Sequence, residues 1–162
     1  MYVHQIDFFM ETSQIFASKI MHIAKEINLD RDKFIFHEGD PALRLYILRQ
    51  GRVRLSIGRT GQVVYIISRS GEAFGWSSLM GRECYSASAE TLAHTSLMAF
   101  ERDEFLEIIK SDPKNGIMLY KGLANTLANR LLQSYQVIVD ASYFAAIPSE
   151  GSRQLQTSEE TD

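Results

Sequence analysis

Two short stretches decide the fold of this chain: Ile35-Phe36-His37-Glu38-Gly39-Asp40-Pro41-Ala42 and Gly71-Glu72-Ala73-Phe74-Gly75. In the first, an apolar run ends in a turn where Gly39 can adopt a positive φ and Pro41 stops the strand. Other apolar runs surround these stretches, and turn residues separate them. We predict strands at Phe34–Phe36, Leu45–Leu48, Val53–Ile57, Val63–Ile67, Ser86–Leu92 and Leu97–Phe100. Short strands at regular spacing indicate an antiparallel β-sandwich or a closed β-roll.

Helical periodicity flanks the strands on both sides. Over the first thirty residues, apolar side chains recur at helical spacing: Phe16, Ile20, Ile23 and Ile27. Thr12-Ser13 can break or cap this stretch. After Glu101 we predict a short helix that stops at Asp112-Pro113 and a long helix from about Lys114 to Asp140. Beyond it, the apolar stretch Tyr143–Ile147 can pack back on the domain.

The long helix carries two apolar flanks. One flank contains Tyr120, Leu127, Leu131 and Tyr135, and the other contains Leu119, Leu123 and Leu132. One flank can cover the domain to which it belongs and the other a second copy of the chain, so we predict a homodimer formed through this helix. The alternative is a helix that packs only within its own chain.

Charge is unevenly distributed. The chain has 162 residues, 17 of them basic and 20 acidic, which gives a net charge of −3. Residues 31–69 hold eight bases and three acids, a local charge of +5, and the remainder carries −8. The basic part can attract phosphate or an acidic partner, but arginines on the solvent faces of strands are the favoured interpretation. Without a basic run or interleaved aromatics, direct nucleic-acid binding is not expected.

The composition indicates a cytoplasmic protein with no membrane segment. The longest apolar runs have five residues, against the ~20 that span a bilayer, and charges interrupt the N-terminal region. The single cysteine, Cys84, excludes an intramolecular disulfide. We divide the chain into a helical segment at 1–23, a domain at 24–140 and a tail at 141–162. The tail is polar beyond Pro148, so we predict that it is disordered.

The turns and the order of elements resemble the cyclic nucleotide-binding domain family over about residues 15–140. The matching residues are Ile35–Ala42, Leu45–Leu48 with Gly51–Val53, and Gly71–Gly75. The resemblance implies a mainly β fold with flanking helices: an eight-stranded antiparallel, jelly-roll-like β-roll followed by a long C-terminal helix. It also implies that a short helical cassette, Phe74–Ala87, holds the cyclic phosphate of the ligand. The candidate ligand-binding residues are Phe74, Gly75, Trp76, Ser77, Ser78, Leu79, Arg82, Tyr85, Ser86 and Ala87.

Both charged anchors of the family pattern are replaced in this sequence. Where the family has a glutamate that binds the ribose 2′-hydroxyl, this chain has Trp76. Where the family has an arginine that pairs with the cyclic phosphate, it has Tyr85. A charge-assisted hydrogen bond contributes roughly 1.5–3 kcal/mol, so the loss of both weakens the expected affinity for a cyclic nucleotide. The fold is expected to persist while the ligand changes.

Three residues near the cassette allow alternatives. Arg82 can turn inward to replace the missing arginine, although a solvent-exposed loop residue is favoured. Tyr85 can contact a different ligand, or it can pack against Trp76 and close the pocket, and packing is slightly favoured. Cys84, in the pocket wall, can be a redox-sensitive thiol, but an ordinary buried cysteine is favoured.

The sequence supports three functional hypotheses, none of them enzymatic. No catalytic motif is present, and His4, His22, His37 and His94 have no metal-ligand spacing, so no metal is expected. The first hypothesis is a stand-alone regulatory sensor that binds a cyclic nucleotide or another compact anionic or aromatic metabolite and signals to an unidentified protein partner. The second is a ligand-free interaction module whose pocket is filled by Trp76 and Tyr85. The third is the sensor fragment of a longer catabolite-activator-type regulator, although the 22 residues after Asp140 are fewer than the roughly 60–80 of a helix-turn-helix domain.

Overall fold

The computed structural model describes residues 9–146, and the chain divides into two compact units, one up to Thr126 and one from Leu127. Among the described residues there are three α-helices and eight strands, with a turn of 3-10 helix at Trp76–Ser78. In chain order the elements are α1 (Gln14–His22), β1 (Lys25–Leu29), β2 (Phe34–Phe36), β3 (Arg44–Gln50), β4 (Val53–Ile57), β5 (Gln62–Ile67), β6 (Ala73–Phe74), β7 (Ser88–Thr91), β8 (Thr95–Glu101), α2 (Arg102–Ser111) and α3 (Pro113–Ala146).

The strands form two four-stranded antiparallel sheets that close into a β-roll. The first sheet has the order β1-β8-β3-β6, and the second sheet has the order β2-β7-β4-β5. In the first sheet, Tyr46 of β3 lies between Ala99 of β8 and Phe74 of β6. The predicted fold class, an eight-stranded antiparallel β-roll followed by a long helix, is confirmed.

Two hydrophobic cores lie on the two faces of the first sheet. Side chains alternate along a strand, so Tyr46 and Leu48 of β3 enter the interior of the roll, whereas Leu45 and Ile47 enter the other core. The interior core joins residues from both sheets. The outer core joins the first sheet to α1, α2 and the start of α3 through Phe16, Ile20, Met98, Phe105 and Leu119. The helices therefore cover the outer face of the first sheet.

The N-terminal helix is shorter than its periodicity predicts. Ser13 is its N-cap, because its Oγ accepts the Phe16 N–H at 3.2 Å, as expected for a capping residue. The helix ends at His22, and Ile27 lies in β1 opposite Leu97. The prediction of helix as far as Ile27 is wrong. The spacing of Ile27 from Ile23 fits a helix. Because β1 pairs with β8, however, the Ile27 side chain packs against the core inside the roll.

The C-terminal helix is longer than predicted. Asp112 caps it: one carboxylate oxygen accepts the Asn115 N–H at 3.2 Å, and Pro113 occupies the first position. The helix continues past Asp140 to Ala146, and Tyr143 is 68% exposed. The packing of 143–147 on the domain stays a prediction. The predicted tail is helical at 141–146, and 147–162 lie outside the described residues. Within 9–146 no helix is long and apolar enough to cross a membrane.

Gly51 lies in the closely packed connection between the two sheets. It lies between β3 and β4 with a φ of +105°, in the region that favours glycine. An added Cβ would lie 2.5 Å from the Thr95 Oγ1 and 2.7 Å from the His94 carbonyl oxygen. The chain therefore passes from the first sheet to the second through a position that excludes a side chain.

Candidate functional site

The cassette begins with a left-handed glycine. Gly75 precedes the 3-10 turn with a φ of +79°, and an added Cβ would lie 3.0 Å from the Arg44 carbonyl oxygen and 3.3 Å from the Tyr46 ring. The Ser78 hydroxyl donates to the Gly75 carbonyl at 2.8 Å and closes the turn. This packing places the start of the cassette directly against β3.

Tyr85 is held in place by the backbone of β3. Its hydroxyl donates to the Arg44 carbonyl at 2.7 Å and accepts the Arg44 N–H at 3.1 Å. Its ring stacks on Phe36, with centroids 3.7 Å apart and planes inclined by 16°. Its own N–H donates to the Asp40 carbonyl at 2.9 Å, within the loop that follows β2. Tyr85 therefore joins three segments of the roll and is only 5% exposed.

The electrostatics of Tyr85 match this structural role. Burial is the largest cause that raises the pKa of its hydroxyl, and the neighbouring Tyr46 raises it further. Burial also raises the pKa of Tyr46. Both phenols stay neutral at physiological pH, so neither supplies the charge that an arginine would supply at this position. A phosphate placed here would be buried without a cation, which is unfavourable.

A small cavity remains between the cassette and the strands. Its volume is about 100 Å³, and it is lined by Phe36, Leu55, Gly75, Trp76, Ser77, Tyr85, Ser86 and Ala87. Sites for drug-sized ligands have volumes of about 300–1,000 Å³, and a water molecule takes about 30 Å³. The cavity volume lies below the range of sites for drug-sized ligands.

The structure brings together six of the ten predicted ligand-binding residues at this cavity: Gly75, Trp76, Ser77, Tyr85, Ser86 and Ala87. The other four lie elsewhere. Phe74 is fully buried in the interior core, and the Ser78 hydroxyl is bound within the cassette. Leu79 belongs to the outer core, where its carbonyl accepts the Tyr120 hydroxyl at 3.3 Å. Arg82 is exposed and does not line the cavity.

Sequence reasoning missed two residues of the cavity wall. Phe36 lies at the end of β2 and stacks on Tyr85, and Leu55 lies in β4. The alternation along β4 could have indicated Leu55, because Val53 and Leu55 share the face opposite the arginines. Tyr85 stacks on Phe36, and packing of Tyr85 against Trp76, one of two alternatives for this residue, stays a prediction.

Two other expectations concern the surroundings of the pocket. Cys84 is exposed, so the interpretation as a buried cysteine is wrong. It pairs with Pro41 in an isolated β-bridge at the rim, which turns its side chain away from the interior core. The basic middle of the chain is partly neutralised by ion pairs of five arginines with carboxylates: Arg31 with Asp32, Arg44 with Glu101, Arg49 with Glu26, Arg54 with Glu90, and Arg69 with Glu72.

The predicted dimer residues fall into two groups along α3. Tyr120 and Leu127 are partly buried, whereas Leu131 and Tyr135 are 50% and 53% exposed. The exposed apolar side chains continue along the helix at Leu132, Val137, Ile138, Val139 and Tyr143. A helix that exposes this many large apolar residues in water is typical of an interaction surface. For metal binding, residues 9–146 offer no group of three or more His, Cys, Asp or Glu side chains that could hold an ion.

Comparison with known proteins identifies the roll. The model of the family described as "Cyclic nucleotide-binding domain" matches residues 26–112. The "Cyclic AMP receptor protein" of Thermus thermophilus is 33% identical over 105 residues, which cover 63% of this chain and 46% of that protein. The chain thus spans about half the length of the curated relatives it matches.

Solved structures share the fold. A cyclic nucleotide-binding domain from Methylobacillus flagellatus superposes with a TM-score of 0.73 at 24% identity, covering 86% of this chain and 79% of that chain. The catabolite activator protein of Thermus thermophilus superposes with a TM-score of 0.66 at 26% identity, covering 85% of this chain and 63% of that chain. Both matches include the β-roll.

Proposed function

Because the chain belongs to the cyclic nucleotide-binding domain family, we propose that it is a regulatory module that pairs with a second copy through α3 and whose roll is closed to cyclic nucleotides. One observation carries this proposal. The resemblance assigns Tyr85 to the position of the phosphate-binding arginine, and both hydrogen bonds of its hydroxyl are made with the backbone of Arg44. The Tyr85 side chain therefore contributes to the packing of the roll.

The energetics oppose binding of a cyclic nucleotide. Entry of the ligand would have to displace Tyr85 from its stack on Phe36 and leave the Arg44 N–H and carbonyl without the phenol. Each buried group that loses its partner costs about 1–3 kcal/mol. The ligand would gain no ion pair in return, because Arg82 lies outside the cavity. The cost of opening the site is therefore not offset.

Isothermal titration calorimetry with cyclic AMP and cyclic GMP tests this part of the proposal. We expect no heat of binding for the wild-type protein up to millimolar nucleotide. The double variant Trp76→Glu, Tyr85→Arg restores both family anchors and is expected to bind at least about tenfold more tightly than the wild type, since one charged hydrogen bond contributes about 1.5–3 kcal/mol. Micromolar binding by the wild-type chain would contradict the proposal.

The dimer is tested through the apolar residues of α3. Leu131 is exposed and lies on the predicted dimer flank, whereas Gln133 is exposed two residues further along the helix, on another face. We expect Leu131→Asp to weaken self-association at least about tenfold, because it places a charge in a desolvated interface. Gln133→Asp should leave the association unchanged. Sedimentation equilibrium measures both, and a wild-type monomer at all concentrations would refute the dimer.

A second candidate function is favoured by the cavity. The hydroxyls of Ser77 and Ser86 belong to residues that line the remaining space of about 100 Å³, which suits a ligand of only a few non-hydrogen atoms. The module would then sense a compact metabolite in place of a nucleotide. Trp76 is the only tryptophan of the chain and also lines the cavity, so its fluorescence would change on binding. An unchanged emission spectrum through a titration series of small carboxylates would eliminate this candidate.

A third candidate is the sensor part of a longer transcription regulator. It is favoured by the length of the matched relatives, of which this chain covers 46% and 49%. Sequencing of the gene beyond the codon for residue 162 tests it directly.

A further inference from the structure

Among the described strands, β5 forms one edge of the second sheet. β5 is the last strand in the order β2-β7-β4-β5, and among the described strands it pairs only with β4. Its sequence, Gln62-Val63-Val64-Tyr65-Ile66-Ile67, contains no charge and no proline. Natural proteins usually protect such an edge with charges, proline or a covering element, because its free N–H and carbonyl groups can pair with another chain. The strand itself carries no such residue.

Apolar side chains beside this edge are exposed. Val63 is 50% exposed, Val64 is 45% exposed, and Ile57 on the neighbouring strand is 41% exposed. The pairing shifts register between Leu55 and Ser56, so Val64 has no Cα partner on β4. Three aliphatic residues thus surround the end of one hairpin, which favours contact with an apolar segment.

The charge of the hairpin restricts the partner. Residues 52–69 contain four arginines and no acidic residue. Carboxylates from other segments pair with Arg54 and Arg69, whereas Arg52 and Arg59 are exposed near the two ends of β4. The charge therefore favours an acidic partner. A second copy of the hairpin is disfavoured, because two such hairpins would bring arginines together.

Nucleic acid is also disfavoured as the partner. Single strands are held by aromatic rings on which the bases stack. The only aromatic residue of the hairpin, Tyr65, is half-buried, and its hydroxyl donates to Glu72 at 2.8 Å. The exposed apolar side chains near the edge, Ile57, Val63 and Val64, are aliphatic, and they suit the apolar side chains of a peptide strand.

We propose that the free edge of β5 receives an extended acidic segment of a partner protein as an added strand. The backbone of the segment pairs with β5, its apolar side chains contact Val63 and Val64, and its acidic residues face Arg52 and Arg59. In such complexes the main-chain bonds provide affinity, and alternate side chains provide specificity. This surface lies on the outside of the roll and does not depend on whether the cavity binds a ligand.

Titration by NMR tests the proposal on the full chain. The probe is a short peptide of alternating valine and threonine with glutamates at both ends, and its matched control carries lysines at both ends. We expect the acidic peptide to shift the amide resonances of Gln62–Ile67 and to bind at least about tenfold more tightly than the control. Its affinity should fall as salt concentration rises.

Two variants assign the effect to this edge. Val63→Lys introduces a charge at the edge and is expected to weaken binding of the acidic peptide at least about tenfold. Phe34→Lys, on β2 at the opposite edge of the same sheet, should leave this binding unchanged. Arg59→Glu changes an exposed turn residue without affecting the core, and it should shift the preference toward the lysine peptide. The shift of preference gives a result even where Val63→Lys fails to fold.

Several results would overturn the proposal. One is an absence of shifts in β5 with either peptide, and another is equal binding of the two peptides. A third is a stronger perturbation of the hairpin by an oligothymidylate, which would assign the surface to nucleic acid. A fourth is a larger assembly of the wild-type chain that Val63→Lys dissociates in sedimentation, which would assign the edge to a second copy.

Discussion

The two sheets of the roll have the same number of strands but different surroundings. The first sheet is covered on both faces, because its outward residues Ile47, Met98 and Phe100 are buried beneath the helices. Within the described residues the second sheet is covered only on its inner face, and Phe34 and Val64 on its outer strands are about half exposed. The difference indicates that the first sheet mainly provides stability, and the second sheet carries the edge for which we propose a partner strand.

The interior of the roll and its outer surfaces also differ in packing. Tyr85 stacks on Phe36 beside a cavity of about 100 Å³. Exposed apolar side chains lie outside the roll, among them Val63 and Val64 on the second sheet and Leu131, Leu132 and Tyr135 on α3.

Truncation of a phenylalanine that covers the first sheet, compared with one on the second sheet, should show the largest difference. Phe105 of α2 is fully buried and meets Phe100 of the first sheet edge-on at 5.8 Å. We expect Phe105→Ala to lower the free energy of unfolding by about 3–5 kcal/mol because it leaves a cavity. Phe34→Ala, on the exposed face of the second sheet, should cost about 1 kcal/mol or less. Urea unfolding measures the free energy of unfolding of both variants. Equal losses would contradict the claim that the first sheet contributes more to stability than the second.

The junction between the sheets should show the next largest effect. Gly51→Ala combines left-handed strain with contact at 2.5 Å from Thr95, and we expect a loss of about 3 kcal/mol. Gly61→Ala, in the β5 hairpin, also has a positive φ but meets nothing within 4 Å, so about 1 kcal/mol is expected. The midpoint temperatures of thermal unfolding of the two variants compare their losses of stability. A Gly61→Ala loss as large as that of Gly51→Ala would show that strain alone determines the cost.

Removal of one hydroxyl inside the roll should have a smaller effect than Phe105→Ala or Gly51→Ala. Tyr85→Phe keeps the stack on Phe36 but removes both hydrogen bonds with Arg44, and at pH 8 we expect a loss of about 1–2 kcal/mol. The m-value for urea should not change, because the variant unfolds the same surface. A gain in stability would show that the hydroxyl is not held as the structure indicates.

The same variant has a signed dependence on pH. The folded state raises the pKa of Tyr85 above its ordinary value of 10.0, so the folded chain holds this proton more tightly than the unfolded chain. Stability from this group is therefore complete below pH 10 and is lost as the pH rises above it. The wild type should lose more stability between pH 9 and about pH 11 than Tyr85→Phe does, so the difference between them should narrow. If the difference in the free energy of unfolding between the two proteins stays constant across this interval, the raised pKa of Tyr85 is contradicted.

Much of the fold could be predicted from local patterns. The predicted strands lie in the observed β2, β3, β4, β5, β7 and β8, because turn residues and alternation mark them. Ile27 shows the limit of this reasoning: its spacing from Ile23 is helical, yet it lies in a strand because β8 offers a partner for β1. The two-residue strand β6 was not predicted, since it is too short to show a period.

The site could be located but not shaped from the sequence. Replacement of the anchors by Trp76 and Tyr85 is visible in the residues themselves. The partner of the Tyr85 hydroxyl is not, because Arg44 lies 41 positions away and only the closing of the roll brings the two together. Phe36 and Leu55 also reach the cavity only through that closure.

The sequence by itself determined six of the eight strands, the glycine turns and a cap at Thr12-Ser13, because each depends on a residue and its near neighbours. The tertiary structure alone decided the covering of one sheet and the exposure of the other. It also decided the volume of the cavity and the role of Tyr85. These properties depend on pairing between segments far apart in the chain, where the free energy of packing exceeds the preference of any single stretch.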